Sequence, residues 1–182
     1  LHPDNRDLPF PLIFTGPVEA EAYFSQIDEF IGATLGPSAQ ALYEVIIDDP
    51  EGVAKAAKRG IDAVRAYRKA HSDAYYYNWR LKIDPAFQQP FVPTHASMRA
   101  LNLSKQQPAH QLAANLRRAF SGVVAGNVKV QGITEIERHG PFEIHADAAI
   151  MEQMDRLLSA FVDQGRMKLP GSRYEPCYRV VR

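Results

Sequence analysis

Two adjacent carboxylates, Asp48 and Asp49, directly follow a short apolar segment at residues 43–47. In open α/β sheets, ligands bind beyond the carboxyl ends of the strands, where a carboxylate can hold a ribose hydroxyl or act as a base. The Thr-Gly-Pro turn at residues 15–17 holds the same position after an earlier apolar run, and its backbone amides could meet a phosphate. A structural interpretation competes, because Asp49 before Pro50 is the pattern of a helix N-cap.

Basic side chains cluster on a predicted helix that follows these carboxylates. Lys58, Arg65 and Lys69 share one face of it, and Arg68 lies at the edge of that face. Such a cluster could bind a phosphate through its side chains. The alternative is a solvent-exposed face with weak ion pairs, because Asp62 lies among the cations at pairing distance along a helix.

A second basic group lies further along the chain. Arg117 and Arg118 flank the apolar stripe of a predicted helix, and Lys129 follows soon after. An arginine there can hold a carboxylate or phosphate bidentately, or it can bury its stem and keep its head in water. The aromatic run 75–80, which includes Asn78, could stack a base and hydrogen-bond to it. Such runs more often divide between core and interface.

Other kinds of chemistry lack their motifs. The six histidines show neither H-x-H nor H-E-x-x-H spacing, so we predict no metal site. No G-x-S-x-G elbow, G-x-G-x-x-G turn or Walker loop occurs. The single cysteine, Cys177, excludes an intrachain disulfide and fits a reducing compartment. The small-residue run 121–127 predicts close helix packing that ends in a C-terminal cap at Gly126-Asn127.

The composition is that of a globular protein. Hydrophobic residues make up 46% and charged residues 23% of the 182 residues. Lys plus Arg and Asp plus Glu both number 21, so the formal net charge is zero. General nucleic-acid binders and membrane-surface binders usually carry a basic excess, so we predict neither class of partner.

The elements that must position these residues follow from the apolar spacing. Residues 9–70 predict strand, helix, strand, helix, with both strands buried on both faces. This order is typical of a doubly wound parallel α/β sheet, as in Rossmann-like folds. Because two strands make a poor sheet alone, we expect this region to be the terminal βαβα portion of a larger one.

The character of the sequence changes around residues 71–75, so we predict a first unit at 1–72 and an α+β unit at 73–182. The predicted elements of the second unit are a strand at 75–83, a short helix at 96–101, helices at 109–126 and 132–139, a strand at 142–145, a helix capped by Asp147, and a last strand at 178–181.

Several segments together resemble a known family. They are residues 11–17 (PLIFTGP), 46–49 (IIDD), 73–79 (with DAY and NW), 116–129 (LRRAFSGVVAGNVK) and 166–178 (RMKLPGSRYEPCY). They are similar to the C-terminal part of the bacterial pyrimidine/purine nucleotide 5′-monophosphate nucleosidase family. That family belongs to the LOG-type, formerly "lysine decarboxylase-like", Rossmann proteins.

The resemblance implies a cytoplasmic homo-oligomer, a tetramer in the parent enzyme. The parent would hydrolyse the N-glycosidic bond of nucleoside monophosphates to a free base and ribose 5-phosphate, without a redox cofactor. It would respond to guanosine tetra- and pentaphosphate. The family signature P-G-G-x-G-T-x-x-E, with its phosphate-binding glycines and catalytic glutamate, does not occur in these residues. We therefore assign no catalytic residue and expect the chain alone to be inactive.

The basic and amide side chains named above then become candidates for two roles. The candidates for the ligand side are Asn78, Arg117, Arg118 and Lys129, and those for an anionic effector are Arg65, Arg68 and Lys69. The alternative function is a non-catalytic nucleotide- or alarmone-binding module for regulation and oligomerisation. A third hypothesis is a stand-alone enzyme with a dispersed site between Asp48 and Arg117.

Overall fold

A first, two-stranded parallel sheet is formed near the start of the chain. The computed structural model describes residues 8–73, 88–171 and 173–181. Strand β1 (Ile13–Gly16) pairs with β2 (Glu44–Ile47), and Ile13 lies opposite Glu44. A 3₁₀ turn (Val18–Ala20), α1 (Glu21–Leu35) and α2 (Pro37–Gln40) connect the two strands, and α3 (Pro50–Ala70) follows β2. The predicted strand, helix, strand, helix order is confirmed.

The start of α3 shows why the chain folds in this way. The Asp49 carboxylate accepts a 2.8 Å hydrogen bond from the Gly52 amide, and Pro50 occupies the first helical position. A carboxylate at this position satisfies one of the free amides of the first turn. The structural interpretation of Asp49 as an N-cap is therefore confirmed.

The two strands are less buried than predicted. Leu12, just before β1, is 43% exposed, and Val45 in β2 is 41% exposed. Neither strand contains a fully buried residue. The prediction that both strands are covered on both faces is wrong for the described residues, because a sheet of two strands offers its apolar side chains too few neighbours.

A second parallel sheet has three strands in the order β3-β4-β5. They are β3 (Asn102–Leu103), β4 (Phe142–Ala146) and β5 (Tyr178–Val181). The helices described around them are α4 (His95–Arg99), α5 (Ala109–Val128), α6 (Val130–His139) and α7 (Ala148–Asp163). The helices and strands predicted after residue 95 are confirmed as elements, although the bounds of some differ by a few residues. The strand predicted at 75–83 lies outside the described residues.

One predicted helix end is wrong, and one predicted cap is right in position only. Helix α5 continues past Gly126 to Val128, because its backbone ladder is unbroken there and Lys129 is the capping residue. Asp147 is the N-cap residue of α7, as predicted, but its side chain makes no hydrogen bond to that helix. Its carboxylate instead accepts a 2.9 Å hydrogen bond from the amide of Lys105, so it fixes the loop after β3.

Close packing of the small residues in α5 is confirmed. A Cβ at Gly122 would lie 2.2 Å from Met98 Sδ, and one at Gly126 would lie 2.6 Å from Cys177 Sγ. Met98 is fully buried, so it has little room to move. These two glycines let α4 and the segment before β5 approach α5 closely.

The largest core lies between the second sheet and its helices. It is built from residues of α4, α5, β4 and α7, together with Phe30 of α1. Helix α1 adds Ile27, Ile31 and Leu35 at the margin of this core. The first sheet and the second sheet therefore share α1 as a common packing element.

Candidate functional site

The carboxyl ends of β1 and β2 meet at one edge of the first sheet, as predicted. The Asp48 amide donates a 2.9 Å hydrogen bond to the Gly16 carbonyl oxygen, which holds the two turns together. Asp48 adopts a left-handed backbone conformation, with φ at 51°. This conformation is uncommon for residues other than glycine, although aspartate tolerates it better than most. Its exposed side chain is the carboxylate left at this edge once Asp49 caps α3.

The turn after β1 is closely packed. A Cβ at Gly16 would lie 2.9 Å from the Ala20 Cβ and 3.2 Å from the Phe24 ring. Glycine is needed here because the chain folds back directly onto α1. This packing accounts for the glycine of the Thr-Gly-Pro turn without a ligand.

The basic cluster of α3 is split between two environments. Arg65 and Lys69 are exposed, whereas Arg68 is only 5% exposed and its Nε lies 3.7 Å from Asp73 Oδ2. A guanidinium in that position binds the protein's own carboxylate and fixes the end of α3. The three residues therefore do not present a common face.

An ion pair occupies part of the exposed face of α3. Lys58 Nζ lies 2.8 Å from Asp62 Oδ2, one helical turn away. The hydrogen bond and charge of Lys58, with a smaller contribution from Arg65, lower the pKa of the Asp62 carboxyl. The predicted interpretation of this face as a solvated set of weak ion pairs is confirmed for Lys58 and Asp62.

A groove of about 620 Å³ runs between α1 and α5, and it contains two of the predicted ligand-side cations. Its walls are mostly apolar, and Phe30 packs edge-to-face on Phe120 with 5.3 Å between ring centroids. Arg117 and Lys129 line the same groove, and both side chains are exposed. The full lining consists of Phe30, Leu35, Ala113, Leu116, Arg117, Phe120, Ser121, Val124, Ala125 and Lys129.

The other two ligand-side candidates do not join this groove in the described structure. The Arg118 guanidinium donates a 3.3 Å hydrogen bond to the Asn115 side-chain oxygen, and Arg118 is not among the lining residues. Asn78 lies outside the described residues. The contribution of α1 to the groove could not be predicted from the sequence. Phe30 gave no signal beyond its place in an apolar helical stripe.

The described part of the chain offers no cluster of three or more His, Cys, Asp or Glu side chains that could hold a metal ion. Among the same residues, no helix is both long and apolar enough to cross a membrane.

Comparison with known proteins places these features in a family. Over 180 residues, the chain is 50% identical to the pyrimidine/purine nucleotide 5′-monophosphate nucleosidase of Escherichia coli K12. The alignment covers 99% of this chain and 40% of that protein, and the figures for the nucleosidase of E. coli O157:H7 are the same. The chain thus spans about two fifths of the length of these relatives.

The match to a family description extends from the middle of α3 to β5. Residues 61–181 match the family described as "Pyrimidine/purine nucleotide monophosphate nucleosidase, C-terminal". The match includes most of the core around α5, β4 and α7. The resemblance seen in the sequence is confirmed: this chain belongs to the pyrimidine/purine nucleotide monophosphate nucleosidase C-terminal family.

Proposed function

We propose that this chain is the C-terminal part of a nucleoside 5′-monophosphate nucleosidase. In the proposed reaction, water attacks the anomeric carbon, the N-glycosidic bond breaks, and the base leaves with a proton while ribose 5-phosphate remains. The observation that carries this proposal is the 50% identity to a named nucleosidase over 99% of the chain. By the same proposal the complete enzyme is a cytoplasmic homo-oligomer, with a tetramer as the expected form, and uses no redox cofactor.

In this proposal, residues 1–72 add the last strands and helices to a Rossmann-type sheet. The exposed apolar side chains support such a role, because Leu12, Leu42 and Val45 are 41–44% exposed around the two strands. Apolar side chains on a short parallel sheet are normally covered by further strands and helices. Residues 73–182 form the appended α+β domain.

The chain alone is proposed to lack hydrolytic activity. Cleavage of an N-glycosidic bond builds positive charge on the sugar ring, which a fixed carboxylate stabilises, and the phosphate needs a nest of amides. The glycine-rich signature that would supply both is absent from this sequence. Asp49 is engaged as a cap, and Gly16 is packed against α1.

A chimera tests the main proposal. These 182 residues would replace the matching 40% of the E. coli K12 nucleosidase. Release of adenine from AMP would be followed by chromatography for the chimera, the E. coli enzyme and the 182-residue chain. We expect release by the first two and background release by the third. A folded chimera without activity would refute the nucleosidase assignment, and release by the short chain at the rate of the E. coli enzyme would refute its inactivity.

The site residues have proposed roles in the assembled enzyme. Asn78, Arg117, Arg118 and Lys129 are proposed for the ligand side, and Arg65, Arg68 and Lys69 for an anionic effector such as guanosine tetraphosphate. The exposed positions of Arg65 and Lys69 support direct contact with an anion. The buried position of Arg68 beside Asp73 supports a positioning role for it instead.

The second candidate function is a regulatory module that binds a phosphorylated nucleotide without acting on it. The exposed Arg65 and Lys69 side chains at the end of α3 favour this candidate. Calorimetric titration of the chimera with guanosine tetraphosphate would compare Arg65→Gln/Lys69→Gln with the control Lys58→Gln, whose cation is already paired with Asp62. We expect weaker binding only in the double variant. Equal binding in all three proteins would refute the effector role of Arg65 and Lys69.

A further inference from the structure

An arginine from the second unit lies close to the carboxyl edge of the first sheet. Helix α1 begins at that edge, and its Phe24 ring would lie 3.2 Å from a Cβ at Gly16, the last residue of β1. The neighbouring Tyr23 ring packs on Phe24, with 5.2 Å between ring centroids. The guanidinium carbon of Arg166 lies 4.9 Å from the centroid of the Tyr23 ring. Two aromatic rings therefore connect Arg166 to the turn after β1.

The end of α7 determines where Arg166 is placed. Gly165 adopts a left-handed conformation, with φ at 66°, and its amide donates a 2.9 Å hydrogen bond to the Val162 carbonyl oxygen. The Arg166 amide donates a 2.8 Å hydrogen bond to the Phe161 carbonyl oxygen. These two bonds form a Schellman motif, which ends many helices and has glycine at its left-handed position. The backbone at Arg166 is therefore fixed by the helix end, and its side chain extends onto α1.

Contacts on both sides of Arg166 hold this segment in place. Before it, the Gln164 side-chain amide donates a 2.8 Å hydrogen bond to the side-chain oxygen of Gln26 in α1. After it, the Met167 side chain packs at the margin of the largest core. An arginine on a fixed backbone and over a fixed ring loses less conformational freedom when it binds a ligand than a mobile one does.

The guanidinium of Arg166 keeps its hydrogen-bond donors available. The residue is exposed, and within the described ranges its side chain forms no hydrogen bond or ion pair. Glu19 and Glu21 lie within four residues of Tyr23 in the sequence, but neither pairs with Arg166 there. A guanidinium over an aromatic ring uses one face for that contact and leaves the N–H groups at its rim, which match two phosphate oxygens.

We propose that Arg166 binds the phosphate group of a nucleoside monophosphate at the carboxyl edge of the first sheet, and that Tyr23 positions it. Ligands of open α/β sheets bind beyond this edge, and a planar fork of donors suits a phosphate. The inference rests on the proposed nucleosidase function and gives the second unit a direct part in substrate binding. Arg166 is not among the ligand-side candidates named from the sequence.

Calorimetric titration of the chimera with ribose 5-phosphate tests the proposal without turnover. We expect Arg166→Gln to bind about tenfold more weakly, which corresponds to about 1.4 kcal/mol. Lys168→Gln is the matched control, because Lys168 is another exposed cation of the same segment, and it should bind as the unaltered chimera does. Tyr23→Phe keeps the ring beneath the guanidinium and should also bind normally, whereas Tyr23→Leu should weaken binding by about threefold.

Steady-state kinetics separate phosphate binding from a structural role. Arg166→Gln should raise the KM for AMP by about tenfold and keep kcat within about twofold. Inhibition by adenine, which has no phosphate, should be equal in the variant and the unaltered chimera. Circular dichroism and the thermal midpoint show whether each variant is folded. If Arg166→Gln does not fold, Arg166→Lys decides the question, because loss of the planar fork should still weaken ribose 5-phosphate binding by about threefold.

Four outcomes would overturn the proposal. They are equal ribose 5-phosphate binding by the Arg166 variants and the unaltered chimera, an equal loss in Lys168→Gln, a parallel loss of adenine inhibition, and a folded chimera that does not bind ribose 5-phosphate at all. In the first three cases, release of adenine from AMP by the unaltered chimera would leave the nucleosidase assignment intact. The two proposals can therefore fail separately.

Discussion

The hydroxyl of Tyr178 donates a 2.7 Å hydrogen bond to Oδ2 of Asp155, which joins the last strand, β5, to helix α7. The other oxygen of the same carboxylate accepts a 2.7 Å hydrogen bond from the hydroxyl of Tyr174. Burial, followed by the hydrogen bond and charge of Asp155, raises the pKa of both phenols. A single carboxylate thus anchors the segment that leads into β5.

Removing one of these hydroxyls should lower stability. Tyr178→Phe is expected to decrease the free energy of unfolding by about 1–2 kcal/mol, the usual range for a partly buried hydrogen bond to a charged group. Urea unfolding followed by circular dichroism would measure it. Tyr67→Phe is the matched control, because the Tyr67 ring stacks on His71 and its hydroxyl bonds to no described residue. Equal losses in both variants would contradict the anchoring role of Asp155.

The same tyrosines should make the fold sensitive to alkali. Their folded-state pKa values are raised, so their contribution to stability is complete below the unfolded value of about 10 and is lost as pH rises above it. Burial also raises the pKa of the Cys177 thiol to about 11. This shift likewise lowers stability as pH rises, and its effect begins at a lower pH than that of the tyrosines. Thermal midpoints measured from pH 8 to about 11 should therefore fall with rising pH.

The double variant Tyr174→Phe/Tyr178→Phe separates the tyrosines from the thiol. We expect it to be less stable at neutral pH but to lose less stability between pH 9 and about 11 than the unaltered chain. Parallel curves for the two proteins would show that these phenols do not control the alkaline transition.

An ion-paired glutamate should make the stability of the fold depend on pH in the acidic range. Glu143 in β4 bonds to Arg179 of β5, and its other oxygen lies 2.7 Å from Arg99 Nη1 of α4. The hydrogen bond from Arg179, together with the charge of Arg99, lowers the pKa of this carboxyl. Its stabilising effect is therefore present above the unfolded value of about 4.3 and is lost as pH falls below it.

Glu143→Gln should accordingly flatten the loss of stability below about pH 5. Urea midpoints at several pH values would test this. Glu51→Gln is the control, because Glu51 pairs with Lys55 on an exposed helix face. If the Glu51 variant changed the pH dependence of stability as much as the Glu143 variant did, the prediction that the ion pairs of Glu143 with Arg179 and Arg99 control it would be wrong.

Helix α6 should not tolerate a side chain at Gly132. A Cβ there would lie 2.2 Å from the backbone oxygen of Ala125, which belongs to the adjoining helix α5. Alanine usually stabilises a helix relative to glycine, so a loss would identify the contact as its cause. We expect Gly132→Ala to lower the free energy of unfolding by about 1–3 kcal/mol. Gly171→Ala, where no atom of the described residues lies within 4 Å of the added Cβ, should stay within about 0.5 kcal/mol.

The elements that the sequence predicts best are those with a long apolar stripe. Leu112, Leu116 and Val123 recur at helical spacing and are buried in α5, as the pattern requires. Strand β3 has only two residues, so its sequence contains no period to detect. The role of Asp147 depends on Lys105, which lies 42 positions away, and no local pattern contains that information.

The candidate site was harder to predict because its contacts also join residues that lie far apart in the sequence. Spacing along α3 placed Arg68 beside Arg65 and Lys69, but the later turn of the chain brings Asp73 back to Arg68. Arg117 and Lys129 could be named from α5 alone. The groove they share also needs Phe30 from α1, and only tertiary packing brings that ring to Phe120.

Helix α1 has a consequence for how the molecule unfolds. Near its start, Phe24 stacks on Phe14 of the first sheet, and near its end Phe30 packs on Phe120 of α5. If α1 separated from either partner, one of these aromatic pairs would be broken and its rings would be exposed to water. The two sheets should therefore melt in one cooperative transition, and a protease cut between residues 72 and 73 should leave the two pieces associated.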